Sequence, residues 1–151
     1  MSQAKALEVG DALALQQQMM ALVRAFGLHQ PEQTPCGQPI PVSEAHALAA
    51  LAGDASLTQQ ELGRRLRLEK STVSRLVRQL ETRGWIARVG DHEDGRVVRV
   101  SLTESGRQVT DELADARSAR FTRLVANIPD DQRAVVLSGL SVLVEALREQ
   151  P

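Results

Sequence analysis

A mainly α fold with one small β-hairpin is what this sequence predicts, on three observations. Apolar residues recur at helical spacing over most of the chain. Only the runs Trp85-Ile86-Ala87-Arg88-Val89 and Val97-Val98-Arg99-Val100-Ser101-Leu102 have strand character, and the polar stretch from Gly90 to Arg96 lies between them. Aromatic residues make up only 2% of a chain that is 42% hydrophobic, and a core of Leu, Val and Ala suits packed helices better than a β-sandwich. At 151 residues the chain fits one domain spanning 1–151.

The elements follow in order. From about Lys5 to Leu28, Ala12, Leu15, Met19, Leu22, Val23 and Phe26 mark one face of an amphipathic helix. The segment His29 to Val42 holds four prolines and a glycine and must be a loop. Ser43 opens an Ala-rich helix, SEAHALAALA, that stops near Gly53. Thr58-Gln59-Gln60-Glu61 is a capping box, so a helix follows to about Leu66. After the link Arg67-Leu68-Glu69, another helix runs from about Lys70 to Arg83 and ends on Gly84, a suitable left-handed cap. The hairpin comes next. Thr103 caps a long helix to Asn127, which Pro129 terminates. The last helix begins at Asp130 and Asp131, whose charges suit a helix N-terminus, and carries Val136, Leu137, Leu140, Leu143, Val144 and Leu147. Val135 and Val142 widen that stripe, which implies burial on more than one side.

Composition narrows the function. No run approaches the roughly 18 apolar residues of a membrane span, and the N-terminus lacks a basic region followed by an apolar one, so a cytoplasmic protein with no membrane partner is expected. The single Cys36 agrees with a reducing compartment. Net charge is −1, but it is unevenly spread: Thr58 to Ser101 holds ten basic and six acidic residues, +4, leaving −5 elsewhere. A local polyanion-binding module on an acidic body has this pattern.

The helix from Lys70 to Arg83 separates into two faces. Val73, Leu76, Val77 and Leu80 lie at i, i+3, i+4 and i+7, a core stripe. Ser71, Ser74, Arg75 and Arg78 have the same spacing displaced by two residues, with Lys70, Thr72 and Gln79 bordering them. Arg reads guanine, Gln reads adenine, and Ser and Thr reach base or phosphate, so this face suits the major groove of DNA. A solvated helix face usually mixes Glu with Lys, whereas here Glu69 and Glu81 sit only at the ends. The preceding short helix, with Leu62 and Leu66 inward and Gly63 at a point of close approach, completes a helix-turn-helix, and the hairpin makes it winged. The wing tip then has a use: Arg96 can enter a narrow minor groove, with Asp94 pairing across the turn to hold it, while Arg88 and Arg99 on the strands face phosphates.

At these residues the sequence resembles the multiple antibiotic resistance regulator (MarR) family of winged-helix transcription factors. The resemblance is carried by LTQQELGRRLRLEKSTVSRLVRQLETRGWIARVGDHEDGRVVRVSLTESGR, followed by two long helices. The family's Asp-x-Arg wing tip is matched by Asp94-Gly95-Arg96, with Asp91 upstream, and its Leu-Thr-x-x-Gly by Leu102 to Gly106. Many members place a further Arg where Glu93 or Gly95 stands, and commonly Ala at Gly63, a difference expected to cost little. The resemblance implies a homodimer in which helices from 5–30 and 103–150 interlock, with the winged helix-turn-helix, 43–102, on each flank. It also implies a double-stranded DNA operator, pseudo-palindromic, with half-sites roughly 34 Å apart. Typical members repress, and are released by a small phenolic or lipophilic effector bound between dimer helices and winged helix.

Sharper readings fare unequally. Arg24, His29 and His46 are candidates to line an effector pocket. Cys36 invites a redox-sensing reading, but in QTPCGQP it has no adjacent base, and a spectator thiol is the better expectation. His29, Cys36, His46 and the wing residue His92 form no ligand pairs at short spacing, so neither a metal nor a cofactor is expected. Phosphate loop, nucleophile elbow and compact carboxylate pair are all missing from the sequence, which argues against an enzyme. A winged-helix adaptor for a protein partner would show exposed apolar anchors where this helix shows Ser and Arg.

Overall fold

The computed structural model describes residues 3–91 and 93–149. His92, and the residues of the predicted domain at 1–2 and 150–151, lie outside them. The elements are α1 (Gln3–Phe26), α2 (Val42–Ala52), β1 (Leu57–Thr58), α3 (Gln59–Leu66), α4 (Lys70–Thr82), β2 (Ile86–Gly90), β3 (Val98–Leu102), α5 (Glu104–Ala126) and α6 (Asp130–Arg148). The mainly helical fold with a hairpin is therefore observed, and the helix bounds fall within a residue or two of those read from the sequence.

One strand is additional. Leu57 and Thr58 pair antiparallel with Val100 and Arg99, so the sheet has three strands in the order β1-β3-β2. The hairpin register runs from Ile86↔Leu102 to Gly90↔Val98. Alternation along β3 sends Val100 and Leu102 into the core and leaves Arg99 and Ser101 between core and solvent.

The core sits where α2, α3, α4 and the sheet meet. Leu48, Leu51, Leu62, Val73, Val77, Leu80 and Val100 are its largest fully buried side chains. Burial of each contributes about 1.5–3 kcal/mol, which holds three short helices that none of their own propensities would stabilise alone. Local signals place the ends. The Thr58 hydroxyl accepts from Glu61 N at 3.1 Å and the Glu61 carboxylate accepts from Thr58 N at 2.7 Å, the reciprocal capping box. Gly84 adopts φ +73°, and Trp85 N returns to Leu80 O at 3.1 Å, closing α4. At Gly63 a Cβ would lie 3.1 Å from Val73 Cγ2 and 3.2 Å from the Leu68 carbonyl. The close approach is real, and an alanine there has to push Val73 aside by a few tenths of an ångström.

α5 joins this core through its N-terminal half, with Leu113 buried in it and the first turn anchored to the hairpin. Thr103 Oγ1 accepts from Gly106 N at 3.0 Å and donates to Gly84 O at 2.6 Å. A Cβ at Gly106 would fall 1.8 Å from the Trp85 carbonyl oxygen, so only glycine fits. α1 and α6 are different in kind. α6 buries no residue within the chain, and Val9, Leu13, Leu15, Met20 and Leu22 of α1 are about half exposed or more. α1 is held at its C-terminal end, where the Phe26 and Phe121 rings pack tilted at 50° with centroids 5.5 Å apart and Arg120 donates to Phe26 O at 3.2 Å. Among the described residues no helix is long and apolar enough to cross a membrane.

Candidate nucleic-acid interface

α3 and α4 meet through a three-residue link whose geometry is set by Arg67. This residue adopts φ 53°, ψ 46°, the only non-glycine at positive φ among the described residues. The left-handed turn lets Leu68 N return to Gly63 O at 3.0 Å and puts Glu69 in an extended conformation at the α4 N-cap. Glu69 makes no side-chain cap, so the first N–H groups of α4 remain available to an anion such as a phosphate. Arg64, Arg67 and Lys70 line the cleft beside that terminus. Arg64 and Arg67 were passed over in the sequence because they lie outside the stripe of α4; their signal was the RRLR run itself.

On α4, Val73, Leu76, Val77 and Leu80 are buried, and Lys70, Ser71, Arg75, Arg78 and Gln79 are exposed. Thr72 and Ser74 are half-buried. Thr72, Arg75 and Gln79 also edge a cleft whose far wall is Pro31, Glu32 and Pro41 of the proline-rich loop, so the α4 surface is continuous with that loop on one side. Among the described residues, Lys70, Arg75, Arg78 and Arg96 are engaged by no carboxylate, in contrast to Arg65, Arg83, Arg88 and Arg99.

The wing is built by carboxylates that accept backbone N–H groups. Asp91 Oδ1 takes Glu93 N at 2.8 Å and Asp94 N at 3.2 Å, and Asp94 Oδ1 takes Arg96 N at 3.0 Å. Asp94 thus shapes the turn through the Arg96 backbone, where a pairing with the Arg96 side chain was expected. The two strand arginines expected to face phosphates are also engaged within the chain. Arg88 was expected to face phosphates, but it donates twice to Glu81, at 2.8 and 2.9 Å, and these bonds raise its pKa. Arg99 was expected to do the same, but its guanidinium is spread over Ser56 Oγ at 2.9 Å, Ser56 O at 3.2 Å, Glu61 at 3.4 Å and Asp91 at 3.5 Å. Both arginines tie the wing to the helix-turn-helix. Glu61 and Asp91 are held below the ordinary carboxylate range, Glu61 first by the Thr58 backbone bond and Asp91 first by those of Glu93 and Asp94.

A second feature lies on the opposite side of α2. A mostly apolar cavity of about 260 Å³ opens between the ends of α1, the proline-rich loop, α2 and α5. Phe26, Cys36, Ala49, Arg117, Arg120 and Phe121 are among its walls. Of the candidates for an effector pocket, His46 lines it, whereas Arg24 and His29 are exposed and do not. Cys36 Sγ lies 2.9 Å from Thr34 Oγ1. Arg117, Arg120 and the two phenylalanines were not singled out, because α1 and α5 meet there across some 90 residues of chain. Among the described residues no cluster of three or more His, Cys, Asp or Glu is placed to hold a metal ion.

Two packed helices joined by a tight turn, the second outward-facing and basic, with a hairpin alongside, define a winged helix-turn-helix. A model of the MarR family matches residues 38–97. An uncharacterised HTH-type transcriptional regulator from Mycobacterium leprae is 25% identical over 133 residues, covering 88% of this chain and 90% of that one. Among solved structures, FabT of Streptococcus pneumoniae in complex with DNA superposes with TM-score 0.69 at 21% identity, over 95% of this chain and 98% of that one. The PcaV transcriptional regulator of Streptomyces coelicolor, in complex with its natural ligand, superposes with TM-score 0.61 at 25% identity, over 90% of each chain. The chain thus resembles the MarR-family transcriptional regulators, through a family model over residues 38–97 and through a relative named as a transcriptional regulator that it matches over most of its length.

Proposed function

We propose that this protein is a MarR-family transcriptional regulator that binds a pseudo-palindromic DNA operator as a homodimer, represses from it, and is released by a small phenolic or lipophilic effector. The observation that carries the reading is the α4 face: Lys70, Ser71, Arg75, Arg78 and Gln79 exposed and free of carboxylates, beside a helix N-terminus with no side-chain cap. Ser71, Ser74, Arg75 and Arg78 contact the major groove, with Thr72 and Gln79 at its border, and Arg96 contacts the minor groove from a wing shaped by Asp94. Arg88 and Arg99 serve the same surface by bracing the wing. The apolar faces left open on α1, α5 and α6, within 5–30 and 103–150, support a dimer interface, and 43–102 then forms the DNA-binding flank. The cavity, with two arginines beside two phenylalanines, supports the effector reading, and the ligand-bound state of PcaV agrees with it.

The test is selection of bound sequences from a random DNA pool, then titration of the winner across salt concentrations. A palindromic winner and an affinity that falls steeply with salt are expected. Arg78→Ala is expected to cost about 1–3 kcal/mol and relax preference at one base, and Arg96→Ala to weaken binding and lessen the salt slope. A folded, dimeric Arg78→Ala protein that binds unchanged overturns the role of that residue. Folded wild type that enriches no sequence turns the reading toward a protein partner.

A further inference from the structure

α2 is a partition one helix thick. Val42, Ala45, His46 and Ala49, at i, i+3, i+4 and i+7, line the cavity. Glu44, Ala47, Leu48 and Leu51 have the same spacing displaced by two residues, so they lie on the opposite face, and all four are buried in the core that carries α4. Three of these are apolar; the fourth is a carboxylate. Glu44 is only 3% exposed, and its charge is answered by Arg83 at the C-cap of α4, with Nε 2.7 Å from Oε2 and Nη2 donating to Oε1 at 3.5 Å. No N–H is aimed along a hydrogen bond at Oε2, which has no such partner among the described residues. The Arg83 guanidinium lies at the same time 4.8 Å above the ring of Trp85, the only tryptophan, at the start of the hairpin. A buried carboxylate held chiefly by one charge is a poor way to fill a core, since an apolar side chain of the same volume would do it at lower cost. It is a good way to fix one helix end relative to another, because a small shift of either changes a short ion pair whose carboxylate is shielded from solvent, although Arg83 itself reaches the surface.

We propose that α2 transmits occupancy of the cavity to α4, and that Glu44 is the positioning residue through which it does so. The inference rests on the cavity being the effector site. An occupant pressing on Ala45 and Ala49 displaces the first turns of α2, Glu44 moves with them, and Arg83 carries the displacement to the end of α4 and to the base of the wing at Trp85.

The experiment needs no identified effector. Ala49→Phe places a benzyl group in the cavity, with Ala45→Leu as a smaller alternative. Operator binding, on the DNA selected above, and Trp85 emission without DNA are measured for wild type, Ala49→Phe, Glu44→Gln and the double variant. Ala49→Phe is expected to weaken operator binding at least about fivefold and to shift the Trp85 emission. In the Glu44→Gln background the same change is expected to alter binding by less than about twofold and leave emission in place, a non-additive cycle. Should Glu44→Gln fold poorly, Glu44→Gln with Arg83→Gln removes both charges and serves as the background. Equal effects of Ala49→Phe in both backgrounds mean that Glu44 is merely structural and overturn the proposal, as does an Ala49→Phe protein unchanged in both readouts. If wild type selects no DNA, the proposed function fails, while the emission cycle still decides whether cavity and hairpin are linked.

Discussion

The winged helix-turn-helix and the long helices beside it solve opposite problems with similar residues. α4 has 13 residues, and its four core side chains, Val73, Leu76, Val77 and Leu80, are all buried within the chain. α6 has 19 residues, is richer in Leu and Val, and buries none. Leu137 remains 65% exposed, Val135 63% and Val142 68%, the last two on the side of α6 away from Leu137 and Leu140. Apolar surface of this extent, on two sides of one helix, is what a second chain would cover. The first region buries its own apolar face, and the second leaves its apolar faces open.

That contrast is broken most severely at α6. Leu140→Asp places a carboxylate in the proposed dimer face, and two-fold symmetry makes it count twice. The lost leucine burial alone is worth about 3–6 kcal/mol of association. Sedimentation is expected to show a dimer for wild type and a monomer for the variant at micromolar concentration. Trp85 emission is expected to report a winged helix still folded in that monomer. A variant that remains dimeric removes α6 from the interface, and one that unfolds throughout shows that the winged region is not self-sufficient.

Gly106→Ala tests the other side of the comparison. The new methyl group would collide with the Trp85 carbonyl, so the α5 N-terminus must move away, and with it the Thr103 contacts to Gly106 and Gly84. A loss of about 3 kcal/mol is expected, from overpacking and a damaged helix cap together. The urea midpoint followed at Trp85 reads it, with the apolar face of α6 untouched by the substitution. A midpoint within error of wild type would mean that α5 is not anchored there.

How much of this was legible in the sequence depended on how far apart the interacting residues lie. The Thr58–Glu61 box, the Gly84 cap, the Thr103 cap and the two faces of α4 are local, and each appears where the pattern of residues puts it. β1 escaped because two residues show no period, and Leu57 becomes a strand only by meeting Val100. The partition role of α2 escaped because VSEAHALAALA is apolar on both faces, which hides the difference between cavity wall and core. The arginines of the interface were legible in type but not in use. Arg78 and Arg88 look alike in the sequence, and only the fold puts Glu81 within reach of Arg88.

The smallest effect expected concerns acid, and it too divides the two regions. Around the wing base, Arg99 gathers Ser56, Glu61 and Asp91, and both carboxylates titrate below their ordinary range. For Asp91 the chief causes are the N–H groups of Glu93 and Asp94, which bond the charged form, with Arg99 adding to them. A carboxyl whose folded pKa lies below its unfolded value takes up protons more readily when unfolded. Its stabilisation is therefore complete above the unfolded pKa and is lost as pH falls through the folded one. Both groups are partly open to solvent, so the loss is modest and screened by salt. Below about pH 5 the wing is expected to loosen first, seen as amide exchange from Gly90 to Val97 that approaches the intrinsic rate at that pH while the α4 core stays protected. Asp91→Asn is expected to speed that exchange at neutral pH and to flatten its dependence on acid, since the group that would take up the proton is gone. Equal acid sensitivity in wild type and variant would assign the effect to Glu61, whose capping bond joins α3 to the same arginine.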